Sequence, residues 1–114
     1  MKSFVKGLAL SVMAMGISMN VSLAGTLKVG FLYLGTPGDA GWTYAHEVAR
    51  QKVQSHFGDA VETTFVENVP EGPDAERIVR ELARQGNKVI FGTSFGYMDP
   101  MLKVSKEFPD VKFE

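Results

Sequence analysis

The sequence predicts an α/β fold, a parallel sheet with helices on both faces. Three observations carry that expectation. β-branched and aromatic runs alternate with segments of helical period, in the order strand, helix, strand, helix, strand, helix, strand. The intervening helical segments are long enough to carry the chain back over the sheet, which makes parallel pairing the natural outcome. The run "KVIFG" is almost continuously apolar, as a strand covered on both sides should be.

Taken in order, the first strand is "TLKVGFLYL", Thr26 to Leu34, and ends at glycines and a proline. The first helix follows, with Ala45, Val48, Ala49, Val53 and Phe57 at three- and four-residue spacings as its expected buried stripe and Gly58 as its left-handed stop. "AVETTFVENV", Ala60 to Val69, reads as the second strand. The second helix opens at Pro73, which needs no N–H partner, with Asp74 and Glu76 at the positive end of the dipole. Its expected buried face is Ala75, Ile78, Val79 and Leu82, and Gly86 ends it. Lys88 to Thr93 is the third strand. Asp99 followed by Pro100 suits the cap of a third helix that buries Met101, Val104 and Phe108 and halts at Pro109, before a fourth strand in Val111 to Glu114.

The first 24 residues stand apart. Lys2 and Lys6 precede an uncharged apolar stretch from Gly7 to Val21, and Ser22 and Ala24 occupy the small-residue positions of a signal-peptidase site. The stretch is short for a membrane anchor and contains Ser11, Ser18 and Asn20, so residues 1–24 are expected to be a cleaved signal peptide and residues 25–114 the folded part. With no cysteine there is no disulfide, no thiolate metal site and no lipobox acylation, and the expected location is the periplasm. A net charge of −1 with no basic stripe argues against a nucleic-acid partner. The chain stops within a strand-like run, which reads as the beginning of a longer protein.

In an open α/β sheet, ligands bind where the carboxyl ends of the strands meet the helix starts. Three segments share that rim: Gly35 to Trp42, Glu67 to Gly72, and Gly92 to Asp99. Gly35, Gly38 and Gly41 resemble a dinucleotide fingerprint only weakly, since Thr36 and Pro37 replace the second glycine, and the Asp39 carboxylate competes with a phosphate for the N–H groups of the helix start. An uncharged, flat ligand fits better. Trp42, Phe95 and Tyr97 are aromatics in the rim loops, with Thr43, Asn68, Ser94 and Asp99 as hydrogen-bonding neighbours, although each ring could instead plug the end of the sheet. His46 and His56 lack metal-ligand spacing, no serine sits in a nucleophile elbow, and neither a cofactor nor catalysis is called for.

"KVGFLYLGTPGDAGWTYAHE", "ENVPEG", the Asp74 to Ala83 helix and "VIFGTSFGYMDP" together resemble the N-terminal part of the basic membrane protein family, the purine-nucleoside-receptor-like substrate-binding proteins of ABC importers. The resemblance covers Thr26 to Glu114. It implies a type I periplasmic-binding fold of two lobes, a purine nucleoside or nucleobase held between them, and a permease at the inner membrane as partner. Many relatives carry a loop resembling Asp, Lys, Ser, Phe, Asn, which aligns with Asp39 to Thr43: Asp39 matches, Trp42 keeps an aromatic, and Thr43 loses the amide. From the rim position and this resemblance together, Asp39, Trp42, Thr43, Asn68, Ser94, Phe95, Tyr97 and Asp99 are the expected ligand contacts. A sensory ectodomain and a sugar receptor of the same fold are alternatives, and an NAD-dependent enzyme is ranked last.

Overall fold

The structure is a computed structural model that describes residues 25–114; the expected signal peptide lies outside the described residues. Four strands, β1 (Leu27–Leu32), β2 (Val61–Val66), β3 (Val89–Gly92) and β4 (Lys112–Phe113), form one parallel sheet in the order β2-β1-β3-β4. Three helices, α1 (Trp42–Phe57), α2 (Pro73–Arg84) and α3 (Met98–Ser105), connect them. The predicted alternation is therefore observed, with strand ends one to three residues shorter than the apolar runs. The chain leaves β1 toward one edge to form β2, then returns past β1 to form β3. That reversal places the switch point of the sheet between the carboxyl ends of β1 and β3.

Alternation along β1 sends Leu32 to one face and Val29, Phe31 and Tyr33 to the other. On the Leu32 side, α2 and α3 bury Ala75, Val79, Leu82, Met101 and Val104 against Leu32 and Ile90. The α2 face is the one its periodicity predicts. Gly30 admits this packing: a Cβ there would lie 3.2 Å from Leu82 Cδ1. Helix α2 begins at Pro73 as expected, and Gly86 takes φ 92° just past its end.

The opposite face differs from expectation. Ala45, Ala49 and Phe57 are exposed, and of the predicted stripe Val53 alone packs against the apolar cluster there. The buried side chains of α1 are Thr43 and Glu47. A second stripe of the same period, Thr43, Glu47, Arg50 and Gln54, faces the sheet instead. The reason is the surface beneath it. Tyr33 and Thr63 present hydroxyls there, and Phe65 presents a ring over which the Arg50 guanidinium sits at 5.0 Å. Tyr33 Oη donates to Glu47 at 2.8 Å, Arg50 Nε donates to the same carboxylate at 2.8 Å and Nη1 to Thr63 at 2.7 Å, while Gln54 accepts from the Thr63 N–H at 2.8 Å. An apolar stripe would have left these groups unpaired.

The third helix also departs in detail. It starts at Met98 and its cap position is Tyr97, with no side-chain cap, so Asp99 does not cap it. A single 3₁₀ turn, Phe95–Tyr97, runs straight into α3, and its carbonyls take the N–H groups that a cap would have satisfied: Tyr97 N–H bonds Ser94 O and Met98 N–H bonds Phe95 O. The regular helix ends at Ser105 rather than at Pro109, yet Phe108 still packs against the core as expected.

Candidate functional site

The rim is built from three loops tied to one another by backbone hydrogen bonds. Asn68 N–H donates to Gly35 O at 3.1 Å, Val69 N–H to Tyr33 O at 3.0 Å, and Thr93 N–H to Leu32 O at 3.2 Å. Asn68 stands in the left-handed region at φ 53°, a conformation that asparagine tolerates better than most residues. Its side chain is exposed at the rim.

Asp39 organises the first loop. Its carboxylate accepts from Gly41 N–H at 2.9 Å, Tyr44 N–H at 3.0 Å and Thr43 N–H at 3.3 Å, which serves the otherwise unpaired donors at the start of α1. The Gly41 N–H, with those of Tyr44 and Thr43, holds the carboxyl below the usual range despite its exposure. These are the donors a phosphate would need. Thr43 is buried, and its hydroxyl accepts from Gly35 N–H at 3.2 Å, closing the same loop from within. Thr43 is thus an internal tie, not an exposed donor.

Trp42 heads α1 and is 63 % exposed. Its indole Nε1–H donates to Thr93 O at 2.6 Å, across the switch point from the β1 loop to the β3 loop. The ring is consequently fixed in orientation with a face open to solvent. His46, one turn along, lies against the indole at 4.8 Å between centroids, with Nδ1 2.9 Å from Trp42 O. It is locally bonded, and no cluster of metal-ligating side chains exists among the described residues.

The third loop divides. Phe95 is 87 % exposed at the rim. Tyr97 is fully buried, and its hydroxyl donates to Val69 O at 2.6 Å, binding the second loop to the third from below. Burial, with the nearby Glu71 charge, pushes its phenol up to about 12. Tyr97 is corrected from a rim aromatic to a core one. Ser94 is half-buried, and its hydroxyl donates to the Glu71 carboxylate. Asp99 lies outward, in a groove between the starts of α2 and α3 with Glu76 and Lys103, and the structure does not bring it to the indole's loop contacts. Trp42, Phe95, Ser94 and Asn68 therefore share the rim, while Asp39, Thr43 and Tyr97 hold it in shape. Glu71 is the member that sequence reasoning missed. Its spacing before Pro73 reads as a helix-start carboxylate, and only the fold carries it to Ser94. A cavity of about 450 Å³ between α3 and β4, lined by Met98, Met101 and Phe113, meets the rim at Ser94 but includes neither Trp42 nor Phe95.

Residues 26–114 match the family described as ABC transporter substrate-binding protein PnrA-like. A purine-binding protein of Brucella abortus is 66 % identical over 88 residues, which is 77 % of this chain and 25 % of that protein. A Haloferax volcanii protein, whose name assigns it glucose binding in an ABC transporter, is 42 % identical over 89 residues, or 78 % of this chain and 22 % of its own. The chain thus spans about a quarter of the length of the curated relatives it matches. Among solved structures, an ABC transporter solute-binding protein from Conexibacter woesei aligns with a TM-score of 0.65 at 25 % identity, covering 77 % of this chain and 28 % of that one. One from Aeropyrum pernix K1 aligns with the same TM-score at 21 % identity, over 76 % and 23 %, and shares the fold. With its parallel α/β sheet and a family match across all but the first of the described residues, the chain belongs to the ABC transporter substrate-binding protein PnrA-like family.

Proposed function

We propose that this chain is part of the substrate-binding component of an ABC importer, exported to the periplasm, and that it holds a purine base or nucleoside against Trp42. The observation that carries this reading is the indole itself: its N–H is spent on Thr93 O while its face stays open, so it offers a surface for a flat ring and no donor of its own. Phe95, Ser94 and Asn68 supply further apolar and polar contacts along the rim. A second lobe from a longer chain closes over the ligand's other face. Ligand then favours the closed form, because only that form presents both sets of contacts, and the permease reads the closure. The protein acts as a receptor and not as an enzyme: the rim serine is paired with a carboxylate, not with a histidine base.

The 66 % identical relative is named for purine binding, which favours a purine over other flat ligands. The 42 % identical relative named for glucose supplies the second reading, since sugars also stack on exposed indoles. Calorimetric titration of the intact, two-lobed protein with purine bases, their nucleosides and glucose separates the two. Purine binding with glucose silent is the expected result; the reverse assigns the site to a sugar. Trp42→Ala should weaken purine binding about five- to 150-fold, the equivalent of about 1 to 3 kcal/mol for a stacked base, without unfolding the protein. Unchanged affinity in that variant would remove the indole from the site.

A further inference from the structure

We propose that Glu71 is a specificity residue of the Trp42 site, an acceptor that selects ring ligands bearing an amino group. The inference rests on the purine reading above and refines it.

Glu71 stands two residues before Pro73, where a carboxylate ordinarily serves the start of a helix. It does not do so here: the cap position of α2 is Gly72, with no side-chain cap bond. The side chain reaches across to the third loop, where the Ser94 hydroxyl donates to it. Gly96 clears the space for this crossing, because a Cβ at that position would overlap the Glu71 carboxylate. Gly96 is not among the glycines with positive φ, so its backbone does not demand glycine; what a Cβ there would displace is the end of the Glu71 side chain.

The carboxylate is also underused. Among the described residues it takes part in no ion pair, and Ser94 is its one hydrogen-bond donor, although an ionised carboxylate offers about four acceptor positions. It is exposed at the rim, and its anchor, Ser94, directly follows Thr93, whose carbonyl receives the indole N–H. An open aromatic face and a partly free, acceptor-only group thus hang from successive residues of one loop. On this proposal a ring stacked on the first turns its edge toward the second. There an amino group or ring N–H finds an acceptor, and a ring carbonyl meets like partial charge. A site with a committed acceptor discriminates strongly against a ligand lacking the donor, because the acceptor is then desolvated without a partner.

The test uses the intact two-lobed protein and two pairs of probes that differ by one amino group: adenine against unsubstituted purine, and guanine against hypoxanthine. Calorimetry should show at least a tenfold preference for the amino-bearing member of one pair. Glu71→Gln should reduce that preference below threefold, with the poorer member's affinity unchanged or raised. Gly96→Ala should do the same, since it displaces the carboxylate without altering its chemistry, and it serves as the independent variant if Glu71→Gln disturbs the loop. Trp42→Ala should weaken both members together. A preference that survives both Glu71→Gln and Gly96→Ala overturns the assignment, as does its absence from the unaltered protein when purines still bind. If none of the four probes binds the unaltered protein, the purine reading itself fails and this inference falls with it.

Discussion

On one face of the sheet α2 and α3 bury Val79, Leu82, Met101 and Val104 against Leu32 and Ile90, whereas on the other α1 lays Thr43, Glu47, Arg50 and Gln54 over Tyr33, Thr63 and Phe65. The first contact is non-directional and tolerates small shifts of one helix against the sheet. The second is held by hydrogen bonds at set distances, including a carboxylate that collects the Tyr33 hydroxyl, the Arg50 guanidinium and the Gln51 amide. Helix α1 carries Trp42 at its head. A directional mount fixes where that indole stands relative to the switch point, a demand that α2 and α3 do not face. The contrast suggests that the polar face of α1 trades apolar burial for accuracy of position.

The contrast can be broken most severely at Glu47. Glu47→Ala leaves Arg50 and the Tyr33 hydroxyl without their shared partner and should cost roughly 3 to 5 kcal/mol in urea unfolding of the intact protein. Leu82→Ala, on the apolar face, should cost about 3 kcal/mol. The two should differ in kind as well as size: the Leu82→Ala variant should leave ligand affinity within threefold, while Glu47→Ala should also weaken binding through the displaced indole. A loss under about 1 kcal/mol at Glu47 would show that the network is ornamental.

Acid sharpens the comparison next. The Arg50 guanidinium, with the Tyr33 and Gln51 donors, outweighs desolvation and holds the Glu47 carboxyl down to about 2, against an ordinary 4.5. As pH falls, the unfolded chain takes up this proton before the folded one does. Glu47's contribution is therefore complete above about pH 4.5 and is lost as the pH drops toward 2. Between pH 7 and pH 3 the unaltered protein should lose about 2 kcal/mol that Glu47→Gln does not lose, measured as the difference between their urea midpoints at the two pH values. Equal acid sensitivity in both would remove Glu47 as the source.

The smallest effect belongs to the outer face of α1. Ala45 is exposed, so Ala45→Ser should change stability by less than about 0.5 kcal/mol in the same unfolding assay. A cost above 1 kcal/mol would restore the apolar stripe to the interior.

Much of the fold was legible because its signals are local. Pro73 and Gly86 bracket α2, the apolar runs mark all four strands, and the stripe Ala75, Val79, Leu82 is buried as its spacing predicts. Periodicity misled for α1 because two stripes of equal period run along that helix, one apolar and one polar. Hydrophobicity alone chooses the first; the hydroxyls of Tyr33 and Thr63, far off in sequence, choose the second. At the rim, Trp42 and Phe95 were legible as aromatics in loops and are exposed there. Tyr97 has the same local signature, and nothing in its neighbours says that its hydroxyl will reach Val69 O from inside the core.

The order of strands and helices, their boundaries within a few residues, and the edge of the sheet where the loops gather all follow from the sequence alone, because turn chemistry and hydrophobic period act over a few residues. Which face of α1 turns inward, which aromatics remain open, and that Glu71 meets Ser94 over Gly96 were decided only by the tertiary structure. Those outcomes depend on hydrogen-bond partners 9 to 51 residues apart, such as Gln54 with Thr63 and Trp42 with Thr93, and a polar group's preference for the interior is set by whether such a partner is waiting there.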